Sequence, residues 1–301
     1  MRSLLLIPAL LAASALDASA QPAKITVGIY APSVEFGTAQ ARLAYVQGLA
    51  RAIEGATGIQ TEAQSYANIG SLKKDNVDFA IIDAQCYATN LGWKLLATAN
   101  IGGGTSRSWA LYSGVGADMK SLEGKKLAFI NTGCNDAGFT DNAMLDSEVS
   151  ASFFGARVGK LDLAAAIAEV ASYKTAHAVF APAGSAKNLT KVFDTGVVPN
   201  PAFVATDSKL PSAVVDKVTA AITGYGGGGG GAIAGWSKGS RDVYAALAGR
   251  LRTSTKAGVL ATPEVVRIDA RDVLVEPATV REAAVVDVRH HFVRAPGARM
   301  E

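Results

Sequence analysis

The segment Ser121-Leu122-Glu123-Gly124-Lys125-Lys126-Leu127-Ala128-Phe129-Ile130-Asn131-Thr132-Gly133 constrains this chain most. It reads as a tight turn, a buried strand, and a polar loop containing glycine that opens onto a helix. A strand ending in such a loop is where α/β proteins place their ligands. A fold built around this phrase needs further strands beside it and helices over both faces.

The rest of the chain supplies them. Ile25-Thr26-Val27-Gly28-Ile29-Tyr30 is β-rich and alternating, and Ala31-Pro32-Ser33 breaks it. Thr38 is placed to cap a helix in which Leu43, Val46, Leu49 and Ile53 keep helical spacing, with Gly55 as its end. Ile59 to Tyr66, Val77 to Asp83 and Leu95 to Ile101 read as three more strands, the second ending in the polar segment Ala84-Gln85-Cys86-Tyr87. Strands alternating with helices predict a mainly parallel sheet. Gly102-Gly103-Gly104-Thr105 marks a break, and Trp109 to Ser113 reads as a strand leaving the first sheet. Helices are expected over 136–147, 161–171, 212–222 and 241–251, with strands over 176–181 and 202–205. The run from Gly226 to Gly231 reads as a flexible surface loop, because no Lys-Ser/Thr signature follows to make it a phosphate cradle. Alternation at Val266, Ile268 and Ala270, and again at Val286 and Val288, suggests β-structure in the tail.

The amino terminus reads as a secretory signal. Arg2 precedes an apolar core from Leu4 to Leu11, and Ala18-Ser19-Ala20 forms a small-x-small cleavage site before Gln21. No cysteine follows that core to carry a lipid. No later run approaches the ~18 apolar residues of a membrane span. The expected product is therefore exported to the periplasm. Lys+Arg is 29 against Asp+Glu 26, without a basic run, so nucleic-acid binding has no electrostatic footprint.

Four segments together resemble the phosphate/phosphite/phosphonate-type solute-binding proteins of ABC importers, a branch of the type 2 periplasmic binding fold. They are Ile25–Tyr30, Val77–Tyr87, Leu122–Phe129 and the stretch from Val192 to Phe203, with Leu210-Pro211 and Val215 to Val218 following. The resemblance implies an α/β clamp of two lobes that hinge shut on a ligand. Residues 21–108 with 207–260 would form lobe 1, residues 109–206 lobe 2, and 261–301 a β-rich tail without a family counterpart. It implies a monomer that carries a small-molecule or lipid ligand to an inner-membrane permease, with no cofactor, no metal and no chemistry on the ligand.

By position, the cleft would be lined by Tyr30, Ser33 and Phe36 after the first strand, and by Asp83, Gln85 and Tyr87 after the third. The second-lobe loop would add Asn131, Thr132, Asn135, Asp136 and Phe139. Family members that hold phosphonate carry a run of Ser and Thr on that loop, whereas this chain has Asn131-Thr132-Gly133-Cys134-Asn135-Asp136. Only one hydroxyl remains, and Asp136 adds negative charge where a dianion would sit. With aromatic residues recurring around the cleft, the altered loop favours an apolar, lipid- or sterol-like guest. The alternatives are an oxyanion-binding importer component, a ligand-sensor module, and an enzyme using Cys86 and His177. Cys86 and Cys134 fall on opposite lips. Two free, partly buried thiols are the plainer reading, and a disulfide that staples the clamp is the sharper one. Asp83 and Asp136 read as lip and cap residues rather than an acid–base pair, and His290-His291 as surface residues.

Overall fold

The computed structural model describes residues 22–146, 149–150, 152–226 and 232–252. The leader at 1–20, the glycine run beyond Gly226, the tail from 261 and His290-His291 lie outside the described residues.

Two sheets carry the fold. In chain order the first set of elements is β1 (Lys24–Tyr30), α1 (Ala39–Thr57), β2 (Gln60–Ser65), α2 (Ile69–Lys74), β3 (Phe79–Ile82), α3 (Ala84–Ala88) and β4 (Lys94–Asn100). Next come β5 (Ser106–Ser113), β6 (Lys126–Ile130), a π-helical segment (Gly138–Met144), β7 (Ala156–Lys160), α4 (Leu163–Ala171), β8 (Ala178–Pro182) and β9 (Thr190–Pro199). The chain then returns through β10 (Ala202–Ala205), α5 (Ser212–Thr223), β11 (Gly235–Ser237) and α6 (Arg241–Arg252). The first sheet has the order β11-β4-β10-β3-β1-β2 and the second β7-β6-β8-β5-β9.

Both sheets are mixed, which corrects the expectation of mainly parallel pairing. β1 runs parallel to β2 and β3, but β10 lies antiparallel between β3 and β4. In the second sheet β6 is parallel to β7 and β8, whereas β5 is antiparallel to β8 and β9. The cause is the crossover. A chain that leaves one sheet through β5 and returns through β9 and β10 must run against the strands it rejoins.

Local chemistry explains most boundaries. In β1 the alternate residues Ile25, Val27 and Ile29 are fully buried, as period-2 patterning requires. The Thr38 hydroxyl accepts from the Ala41 N–H and caps α1. That helix runs past Gly55 and stops at Gly58, whose φ of 70° lets its N–H close on the Glu54 carbonyl. A left-handed residue, not a glycine as such, ends the helix. Gly28 serves close approach instead. A Cβ there would lie 3.0 Å from the Tyr66 ring and 3.3 Å from both Leu72 and Val77.

One apolar cluster lies under α1 and α5 against the first sheet, and a smaller one packs α4 on the second. A third is shared. It joins Tyr30, Ile82 and Tyr87 of the first half to Trp109, Leu127 and Phe180 of the second, with Tyr244 and Leu251 of α6. The crossover is stitched by the buried Asn200. Its amide donates to the carbonyls of Ala99 (3.1 Å) and Gly104 (2.8 Å), and its carbonyl oxygen accepts from Arg107 Nε (2.9 Å).

Candidate functional site

The site lies where the loops after β1 and β3 meet the loop after β6. β1 ends at Tyr30, and the turn that follows turns Ser33 back toward β3. There the Ser33 N–H donates to Asp83 Oδ2 (2.9 Å) and its hydroxyl donates to Oδ1 (2.7 Å). Asp83 is almost wholly buried. Burial pushes its carboxyl up to about 6, opposed by the Ser33 hydrogen bonds and the nearby charge of Arg107. Arg107 opens β5 and is itself drawn below its usual value, chiefly by burial.

On the opposing lip the polar loop folds around one carboxylate. Asp136 Oδ1 accepts from the Thr132 N–H (3.1 Å), the Thr132 hydroxyl (2.5 Å) and, from across the cleft, Gln85 Nε2 (2.8 Å). Asp136 Oδ2 accepts from the Gly133 N–H (3.0 Å). Gly133 holds a φ of 70°, which lets the loop curl tightly enough to do so. Gln85 also donates to the Cys134 carbonyl (2.8 Å), and the Tyr30 hydroxyl donates to that of Thr132 (3.2 Å).

The lips are also joined covalently. Cys86 and Cys134 form a disulfide with their Cα atoms 5.0 Å apart, within the usual reach of such a bond. This corrects the expectation of two free thiols. α3 holds Cys86 fully buried in the shared core, and the curl of the 131–136 loop brings Cys134 to meet it, a closeness that only the folded loops create. The alternative of a Cys86–His177 pair is not met either. Cys86 has no thiol, and His177 Nδ1 accepts a hydrogen bond from the Lys126 N–H (3.2 Å) on the second sheet.

Between the lips remains a cavity of about 30 Å³, room for little more than a water molecule or two. Of the expected residues, Ser33, Asp83, Gln85, Thr132, Asp136 and Phe139 line it. The others lie elsewhere. Tyr87 is fully buried in the shared core, its ring edge-on to Tyr244 at 4.8 Å and its hydroxyl donating to the Trp93 carbonyl. Tyr30 is buried too and acts as a strut between lips rather than a wall. Phe36 packs on Tyr45 and borders a separate surface hollow with Arg42 and Asp162. Asn131 pairs its N–H with Lys160 of β7. Asn135 caps the π-helical segment through the Gly138 N–H and donates to the Leu251 carbonyl of α6.

Arg107, Trp109, Phe129 and Phe180 are further lining residues, and sequence reading missed them. Trp109 stands edge-on to Phe139 at 5.7 Å. A signal for two of them existed. Extending the alternation of β5 back past Trp109 places Arg107 on the same face, a lone cation beside an aromatic ring. The site therefore brings together aromatic walls, two carboxylates and one guanidinium.

No protein-family model and no curated protein sequence matches the chain. Solved structures do. A binding-protein component of a phosphonate ABC transporter from Pseudomonas aeruginosa is similar at TM-score 0.58 and 12% identity, covering 80% of this chain and 91% of its own. A Prochlorococcus marinus protein in complex with methylphosphonate is similar at TM-score 0.58 and 12% identity, covering 75% and 96%. A Xanthomonas citri protein bound to ATP is similar at 0.57 and 12%, covering 78% and 98%. At such identity the likeness establishes architecture, and the architecture is the two-lobed fold of the type 2 periplasmic binding proteins.

Proposed function

We propose that this protein is an exported solute-binding protein that encloses a small ligand between its lobes and passes it, unaltered, to an inner-membrane transporter. One observation carries the reading: a cleft lined from both sheets, with polar lips and aromatic walls, set beside the paired crossover strands β5 and β9. The export leader read at residues 1–20, a monomeric state and a permease partner belong to the same proposal. So does the absence of chemistry on the ligand, since Cys86 is consumed in the disulfide.

The walls support a ligand with an apolar body, seated against Trp109, Phe129, Phe139 and Phe180. Its polar end would meet Arg107. A lipid- or sterol-sized guest asks for the ~300–1,000 Å³ of an ordinary ligand pocket, so the proposed guest is smaller or enters a wider state of the clamp. Phosphonate, which the similar structures from other organisms are described with, is disfavoured here. Two carboxylates against one guanidinium leave a dianion with more repulsion than attraction.

Native mass spectrometry of protein purified from its own host tests the reading. A small retained molecule is expected, and its affinity should fall about tenfold to a hundredfold in Arg107→Ala and Trp109→Ala. Undiminished binding in both variants would show that the guest sits elsewhere.

A further inference from the structure

The donors of the second lip are aimed at an anion, and the anion is already present. Two backbone N–H groups, a hydroxyl and a side-chain amide, drawn from both lips, converge on the two oxygens of Asp136. Gln85 is 5% exposed and reaches this carboxylate from α3 on the opposite side of the cleft. Gly133 is exposed and Asp136 half-buried, so the spot is open to solvent. Each donor is satisfied by the carboxylate, which leaves none for a free anion, and the carboxylate repels one.

We infer that Asp136 is an internal occupant of an oxyanion seat, and that it determines specificity by keeping small free oxyanions out of this cleft. The inference deepens the solute-binding reading and rests on it for its functional meaning. Emptied of its side chain, the seat would take a small oxyanion, a carboxylate best of all because the donor set already fits one. The same substitution would loosen the lips, since the bond between Gln85 and Asp136 crosses them.

The test is isothermal titration of wild type and D136A with acetate, phosphate and methylphosphonate, with D136S as a second variant. D136A should bind at least one of these anions about tenfold or more tighter than wild type. Acetate should also raise its melting temperature where chloride does not. A folded D136A that binds none of the three overturns the inference, as does wild type binding methylphosphonate as tightly as the variant. If D136A folds only in added acetate, the seat is supported. If neither variant folds in any of the three anions, it is overturned, because a refillable seat would have been refilled. These outcomes are independent of solute capture, which fails separately when host-purified wild type retains no ligand and binds none from a host extract.

Discussion

Asp83 makes the behaviour of a single buried carboxyl measurable. Its carboxyl titrates at about 6 in the folded protein against 3.8 ordinarily, with burial as the main cause. Below about pH 4 it is protonated whether the chain is folded or not. As pH rises toward 6 the unfolded chain releases this proton first, so stability falls through that window and stays lower above it. The shift corresponds to about 3 kcal/mol. Asp83→Asn should flatten that fall in urea unfolding measured from about pH 4 to about pH 7. An unchanged slope would assign the dependence to another group. The Asn oxygen can still accept from the Ser33 N–H, so the variant keeps part of the lip geometry.

At the scale of elements, α3 is short but buried, with Ala84, Cys86, Tyr87 and Ala88 in the shared core, whereas the polar loop after β6 has little apolar burial of its own to hold it in place. The disulfide does that work across a sequence separation of 48 residues. Closing a loop of that length lowers the entropy of the unfolded chain by about 4 kcal/mol in the chain-entropy account, with 2–4 kcal/mol typical of measured cases. Replacing both cysteines with alanine should therefore lower unfolding stability by about 2–4 kcal/mol in denaturant titration. A loss near zero would mean that Gln85 and Tyr30 suffice to fix the lips. The capping of α1 is a smaller and more local matter. Thr38→Ala should cost about 1 kcal/mol, read in the same titration, without changing ligand affinity.

In the whole molecule, the two lobes touch through the shared core, the crossover strands and the lips, and the lip disulfide limits how far they can part. Ligand-free oxidised protein should stay compact in small-angle scattering, and a dithiol reductant should increase its radius of gyration. Equal radii in the two states would mean that the shared core alone keeps the clamp shut. Much of this architecture was legible in the sequence. Strand periodicity at Ile25–Tyr30, the helix over 212–222 and the polar loop after Phe129 are local patterns, set by which side chains one strand or helix must bury. The antiparallel insertion of β10, the pairing of Cys86 with Cys134, the burial of Tyr87 and the arrival of Arg107 and Phe180 at the cleft were not legible. Each depends on residues far apart in the chain meeting after the crossover. An aromatic side chain one turn past a strand end reads the same whether it faces a cavity or a core. The chain by itself determined many of the elements, though not α2, β7, β9 or β11, and the kind of fold, because burial patterns are local. Only the tertiary structure decided which lips meet, what joins them and which carboxylate fills the seat, because those are distances between loops, and no spacing along the sequence encodes them.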